Sequence, residues 1–317
     1  MKKVLVLLLI SFLPWAVRAA DGDDVPTQYG ATVARARSAC GSLPDKLNAV
    51  KLLAGISTGA GVVGTLGGGT GLVAGGIKLA TDVELGNAPD PAVKLARLKE
   101  LEQVASQPDD NALITALPEV FELDEYFMKG KANMDQANLD MLRSRSHTAG
   151  NVRTVGAFVG GAGGAGGAAV SFISLKTFDE IIEAMNECMT GVAEIGRQRM
   201  ELMAVNPGDA SLAEMSRIVE NCRGMNPRNI DEIKNKMKTA GIASAVGGAA
   251  GLAGGVTSVM AQSGNPVADP KTGLNAASTV LSGVSGAANL GGAVISGGTL
   301  SGLVKNSEAA DRCAKAF

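Results

Sequence analysis

The sequence predicts an all-α protein made of two divergent copies of a disulfide-closed hairpin of glycine-zipper helices, with a polar helical segment inserted into the first copy. Four uncharged stretches rich in Gly, Ala, Val, Ser and Thr recur along the chain, and four cysteines flank them. No alternating apolar and polar pattern of useful length occurs, so nothing indicates a β-strand.

The four uncharged stretches cover residues 52–77, 154–175, 239–262 and about 276–304. Small residues recur in them at a spacing of four, which places them on one face of a helix, where a missing side chain lets another backbone come close. We therefore predict close helix packing at nine glycines: Gly67, Gly71, Gly75, Gly156, Gly160, Gly164, Gly247, Gly251 and Gly255.

The glycine content restricts where such helices are stable. Each glycine in a water-exposed helix costs about 1 kcal/mol relative to alanine. A helix over 52–77 is thus expected either in a membrane or in a tight bundle. Its length of about 39 Å exceeds the roughly 30 Å of a bilayer core. Basic residues flank the stretches at positions suited to a membrane interface: Lys51, Lys78, Arg153, Lys176, Lys238, Lys271 and Lys305. Dilution by Ser, Thr and Gly and the lack of aromatic belts favour the bundle instead.

The cysteines Cys40, Cys188, Cys222 and Cys313 are even in number and show no CxxC spacing, which favours two disulfides over a metal or redox pair. Each hairpin of stretches has one cysteine before it and one after it. The predicted bridges are therefore Cys40–Cys188 and Cys222–Cys313. Pairing of Cys188 with Cys222 and of Cys40 with Cys313 stays open, because spacing alone does not fix connectivity.

The N-terminus is typical of a secretory signal peptide over residues 1–19. Lys2 and Lys3 precede an apolar run that ends at Val17, and the small residues Val17 and Ala19 suit cleavage after Ala19. We therefore expect an exported protein of the periplasm or cell envelope, either membrane-associated or secreted.

The domain organisation follows the cysteine pattern. We predict a first hairpin unit over residues 20–205, carrying a helical insertion over 79–147, and a second unit over 206–317. In the insertion, Asp90 is expected to cap a helix that begins at Pro91. Thr177 and Glu180 form a capping box, so an amphipathic helix is expected to begin there.

Signals for chemistry are weak. The pattern Gly59-x-Gly61-x-x-Gly64 matches a dinucleotide fingerprint, but no strand precedes it, and we predict no cofactor. His147 is the single histidine, so neither a metal site nor a catalytic triad is predicted. With 29 basic and 31 acidic residues, the chain lacks the basic excess expected of a nucleic-acid-binding protein.

These observations favour an exported, non-enzymatic envelope protein whose paired glycine helices associate with or insert into a membrane, as an oligomeric pore or scaffold. Its candidate partners are membrane lipid and further copies of the chain or another envelope protein. The alternative is a soluble helical-bundle interaction or structural module that never contacts lipid. A third hypothesis, an enzyme, would rest on adjacent carboxylates of the insertion: Asp109, Asp110, Asp124 and Glu125.

Overall fold

The structure is a computed structural model that describes residues 25–105, 110–263 and 272–317, so the predicted signal peptide lies outside it. Every regular element within these ranges is an α-helix, which confirms the all-α prediction there. In chain order the helices are α1 (Val25–Gly41), α2 (Leu43–Asn87), α3 (Pro91–Ala105), α4 (Asp110–Met128), α5 (Lys131–Val205), α6 (Ser211–Cys222), α7 (Pro227–Gln262) and α8 (Thr272–Ala314).

The glycine stretches lie within α2, α5, α7 and α8, and these helices are longer than the stretches themselves. Helix α5 spans 75 residues without interruption, so the expected helix start at Thr177 is wrong. No proline or positive-φ residue separates Leu175 from Thr177 to end the preceding helix. A capping box therefore does not start a helix where the backbone is already helical.

The described residues group into two compact units. The first comprises residues 25–45, Ile181–Pro227 and Asn306–Phe317. The second comprises Lys46–Glu180 and Arg228–Lys305. The first unit therefore holds α1, α6 and the terminal parts of α2, α5 and α8, whereas the glycine stretches belong to the second unit.

The first unit has an ordinary apolar core and holds both disulfides. Cys40 is bonded to Cys188, and Cys222 to Cys313, so the alternative connectivity does not occur. Large apolar side chains fill the space around the bridges: Ile181, Met185, Ile195, Met215 and Ile218 are each at most 1% exposed. Burial of such side chains contributes about 1.5–3 kcal/mol each, which stabilises this unit as in a water-soluble domain.

The second unit contains a ring of four helices in which each helix contacts two neighbours. Helix α2 meets α5 at Gly67 and Gly160, and it meets α8 at Gly68 and Gly286. Along the first pair, rising numbers in α2 meet falling numbers in α5, because Gly71 lies against Gly156; the two helices are antiparallel. The contacts that close the ring are Gly164 with Gly248 between α5 and α7, and Gly254 with Ser278 between α7 and α8.

The described residues of the inserted segment are mainly helical, as predicted. Asp90 accepts a hydrogen bond from the backbone N–H of Ala92 at 2.8 Å, which caps α3 at its first turn. Arg97 on α3 pairs with Glu119 on α4 at 2.9 Å. Gly130 connects α4 to α5 with φ of 71°, a left-handed conformation that glycine adopts without strain.

Candidate functional site

All nine predicted glycines lie where two helices come very close. At each of them, an added Cβ atom would lie less than 3.0 Å from an atom of another helix. At Gly160 of α5, for example, it would lie 2.8 Å from the backbone nitrogen of Gly68 in α2. The nearest atom is backbone at Gly67, Gly156, Gly160, Gly164 and Gly251, so an alanine methyl group has no room there unless the helices move apart. At the other four glycines the nearest atom belongs to a side chain.

Glycines on the other faces of the same helices have free space around them. Gly59, Gly69 and Gly76 have no atom of another element within 4 Å of an added Cβ. Gly68 and Gly69 are adjacent in sequence, yet the first faces Gly286 and the second faces outward. Close packing is therefore a property of one face of α2 and not of glycine content in general.

The interior of the four-helix ring is polar, which the sequence analysis did not predict. Serine, threonine and asparagine side chains from all four helices are buried there: Ser57, Ser171, Ser174, Ser244, Ser258, Ser278, Thr279, Ser282, Ser285, Asn289, Ser296 and Thr299. Several bond across helices, since the Ser57 hydroxyl lies 2.8 Å from that of Ser171 and 3.3 Å from that of Ser296. Such hydrogen bonds hold helices together where no water competes for them.

Asn289 of α8 lies at the centre of this interior. Its side-chain amide donates a hydrogen bond to the carbonyl oxygen of Gly160 at 3.0 Å. The asparagine fits because its neighbours on the other three helices, Gly64, Gly164 and Gly247, have no side chains. Its own carbonyl oxygen is buried and has no hydrogen-bond partner among the described residues.

The outer surface of the ring is apolar. Twenty-four large apolar side chains on the four glycine stretches are at least 37% exposed: Leu52, Ile56, Val62, Val63, Leu66, Leu72, Val73, Ile77, Val155, Phe158, Val159, Phe172, Ile173, Ile242, Val246, Leu252, Val256, Val259, Met260, Val280, Val284, Leu290, Val294 and Val304. We call this surface the apolar belt. Large apolar residues outside and hydroxyl groups inside are the reverse of the distribution in a water-soluble domain.

A buried charged network closes one end of the ring. Lys78 of α2 donates to Asp82 at 3.0 Å and to Ser146 of α5 at 2.9 Å. Ser146 in turn donates to Asp82 at 2.6 Å. The side-chain amide of Asn275 on α8 donates to the same carboxylate at 3.0 Å. One carboxylate therefore joins three helices.

Arg153 of α5 connects this network to α7. Its guanidinium donates to Ser258 at 2.9 Å and to the side-chain oxygen of Asn275 at 2.9 Å, and the residue is 0% exposed. Lys78 is only 4% exposed. The expectation that Lys78 and Arg153 reach a membrane interface is therefore wrong, because the buried carboxylate and carbonyl oxygens draw both cations inward.

The two disulfides of the first unit lie side by side. The sulfur of Cys188 is 3.9 Å from that of Cys313, and the sulfurs of Cys40, Cys188 and Cys313 all lie within 4.8 Å of one another. These distances would suit a metal-binding thiolate cluster, but all four cysteines are oxidised, and a disulfide sulfur is not a thiolate ligand.

The carboxylates behind the enzyme hypothesis are ordinary surface groups where the structure describes them. Asp124 and Glu125 are exposed, and the hydrogen bond from Lys129 lowers the pKa of Glu125, which disfavours a role as a proton donor near neutral pH. The side chains of Asp109 and Asp110 lie outside the described residues. His147 is exposed, and its ring lies 3.3 Å from the side-chain amide of Asn151. It is distant from these carboxylates in sequence and forms no ion pair among the described residues.

The sequence analysis did not predict the interior asparagine or the charged network, although the sequence contains an indication of each. Asn289 lies within the α8 stretch and Asn275 directly precedes it, and an amide within an otherwise apolar helix indicates an interhelical hydrogen bond. No protein family, curated protein or solved structure gave a match in comparisons with this chain.

Proposed function

We propose that this chain is an exported, non-enzymatic envelope protein that inserts the four-helix ring of its second unit into a membrane. The observation that carries the proposal is the apolar belt around a polar interior. Lipid tails cover exposed Leu, Ile, Val and Phe side chains without cost, whereas hydroxyl and amide groups satisfy one another inside.

The free energy of burying apolar side chains favours a membrane over water as the environment of the ring. Burying a large aliphatic side chain is worth about 1.5–3 kcal/mol, so leaving 24 of them about half exposed in water forgoes on the order of 20–30 kcal/mol. A whole domain is stable by only about 5–15 kcal/mol. The folded protein in water lacks this burial free energy, and lipid tails that cover the belt would supply it.

Helix length and composition support insertion. Four helices in the described part of the chain are long and apolar enough to cross a membrane. The uncharged stretch of α7, over residues 239–262, is about 36 Å long at 1.5 Å per residue, enough for a hydrocarbon core of about 30 Å. Two disulfides are typical of an oxidising compartment and so support export.

Two finer features belong to the same proposal. The nine close-contact glycines act as a glycine zipper, and the two cysteine-flanked hairpins are divergent repeats of one unit. The backbones of neighbouring helices come as close as those of Gly68 and Gly160, so the interior of the ring is packed. A single copy then serves as a scaffold, and a pore would need several copies to enclose a separate lumen.

The alternative is a soluble bundle that never contacts lipid. The first unit, with its buried apolar core, is compatible with it. The belt argues against it, because a water-soluble bundle would need another protein to cover all four helices.

Fractionation of cells that produce the full chain, with and without reductant, tests export, cross-linking and insertion together. We expect the protein in the membrane pellet after alkaline carbonate extraction, with two intact disulfides. Full release by osmotic shock, with nothing left in the washed pellet, would favour the soluble alternative.

A charge placed on the belt sharpens the test. Leu66→Lys lies in the middle of the α2 stretch, and a lysine at the centre of a span costs about 2.5–3.5 kcal/mol. We expect it to lower the carbonate-resistant fraction. Val205→Lys is the control, because Val205 is 85% exposed at the end of α5, outside the belt. Equal effects of the two substitutions would argue against membrane insertion.

A further inference from the structure

The two ends of the apolar belt differ in how they carry positive charge. At one end, each of the four helices presents one lysine next to its uncharged stretch: Lys51, Lys176, Lys238 and Lys305. The last three are exposed and Lys51 is half-buried. We call these four residues the lysine rim. At the other end, Lys78 and Arg153 are buried in the charged network, and the flanking residue Lys271 lies outside the described residues.

The lysine rim has no anionic partner within the described part of the protein. Ion pairs there involve other basic residues, such as Lys234 with Asp179 and Lys78 with Asp82, and none involves a rim lysine. The exposed carboxylates nearest to the lysines in sequence, among them Asp179, Glu232 and Glu308, lie three to six positions beyond them on the side away from the uncharged stretches. A layer of unpaired ammonium groups therefore lies between the apolar belt and the first acidic residues.

From this layering we propose that the lysine rim binds the phosphate groups of anionic phospholipids in one leaflet. The proposal rests on the membrane insertion proposed above. A lysine side chain extends its apolar stem along a helix and places its charge at the headgroup level, where phosphate lies. One lysine on each helix gives contact on all sides of the ring. At the other end, the described flanking cations Lys78 and Arg153 are buried, so the rim favours placing its own end of the ring in the more anionic leaflet.

The test uses flotation of the full chain, purified in mild detergent, with vesicles of phosphatidylcholine alone or with one-third phosphatidylglycerol. We expect recovery with both and a preference for the anionic vesicles of about fivefold for each lysine, weakened by salt. The combined variant Lys51→Gln, Lys176→Gln, Lys238→Gln and Lys305→Gln should lose this preference but still float with phosphatidylcholine. Both proteins should give the same far-UV circular dichroism spectrum.

A matched control changes the same number of charges elsewhere. Lys99, Lys129, Lys131 and Lys315 are exposed and remote in sequence from the belt ends, so their joint replacement by Gln should keep the preference. An equal loss of preference in the two variants would show that only the net charge of the protein matters, and it would overturn the proposal. A preserved preference in the rim variant would overturn it as well. Loss of the wild-type preference in millimolar inorganic phosphate, but not in chloride of equal ionic strength, would indicate a free-phosphate site and also overturn it. Failure of the wild type to float with either vesicle would instead refute membrane insertion.

Discussion

The side-chain amide of Asn289 on α8 donates a hydrogen bond to the backbone carbonyl oxygen of Gly160 on α5, with an N···O distance of 3.0 Å. This contact joins helices that are not consecutive in the chain. It also depends on the two main properties of the ring. Polar side chains in the interior form hydrogen bonds between helices, and glycines leave room for these side chains to reach the backbone of another helix. The effect of a glycine substitution on stability should therefore depend on whether that glycine faces another helix or faces outward.

Gly68→Ala and Gly69→Ala are expected to change stability in opposite directions. A Cβ at Gly68 would contact the backbone of Gly286, so the methyl group forces α2 and α8 apart at a cost of about 1–3 kcal/mol. At Gly69 the space is open, and alanine gains up to about 1 kcal/mol of helix propensity. Thermal unfolding in mild detergent, followed by circular dichroism, measures both. Similar shifts for the two variants would contradict close packing of α2 against α8.

Asp82→Asn is expected to destabilise the second unit by about 3–5 kcal/mol, because it leaves the buried Lys78 without its ion-pair partner and removes the negative charge that acts on Arg153. Asp140→Asn is the control. Asp140 pairs with Arg143 at the surface, where such pairs contribute about 0–1 kcal/mol. Denaturant unfolding of both variants gives the comparison, and a small effect at Asp82 would show that the network is not needed for stability.

Cys222→Ser is expected to cause disulfide exchange in the first unit. The freed Cys313 thiolate lies 3.9 Å from the sulfur of Cys188 in the folded protein. Its attack forms a Cys188–Cys313 bond and releases the thiolate of Cys40, with no external oxidant. Alkylation and peptide mapping without reductant should find free Cys40 as well as free Cys313.

The double variant Cys222→Ser with Cys313→Ser serves as the reference for this exchange. It lacks the attacking thiol and should retain only the Cys40–Cys188 bridge. If the single variant showed alkylation at Cys313 alone, the two bridges would not be in exchange contact.

Tyr126 in the insertion should make stability depend on alkaline pH. Burial and a hydrogen bond of 2.5 Å to Asp135 raise the pKa of this tyrosine to about 12 from an ordinary value near 10. Between these values the unfolded chain loses the phenolic proton and the folded protein keeps it, so the free energy of unfolding falls as pH rises above 10.

Ultraviolet titration near 295 nm measures this ionisation directly. Burial also raises the pKa of Tyr29, the other tyrosine of the chain, so the difference between the titrations of the wild type and Tyr126→Phe isolates the Tyr126 step. A Tyr126 step with its midpoint near pH 10, as for a free tyrosine, would show that the contact with Asp135 is absent in solution.

Much of this architecture follows from local sequence, and the part that does not depends on contacts between distant helices. Helical periodicity and the spacing of Gly67, Gly71 and Gly75 indicate which face of α2 lacks side chains. They do not indicate that this face meets α8 as well as α5, since Gly68 and Gly286 are far apart in sequence.

The same limit explains the errors on charged and capping residues. A basic residue beside an apolar stretch has the same local pattern whether it faces lipid headgroups, as expected for Arg153, or a buried amide such as Asn275. Likewise, the capping box at Thr177 has local helix-starting character, but only the continuity of α5 decides whether a start is needed.

The connectivity of the two bridges has a consequence for biogenesis. Each joins cysteines that are consecutive in the chain, Cys40 with Cys188 and then Cys222 with Cys313. An oxidase that acts on thiols in their order of emergence from a translocation channel produces these pairs directly. For a chain exported as proposed above, maturation then requires no isomerase to correct wrongly joined thiols, provided that the first pair closes before the third cysteine arrives.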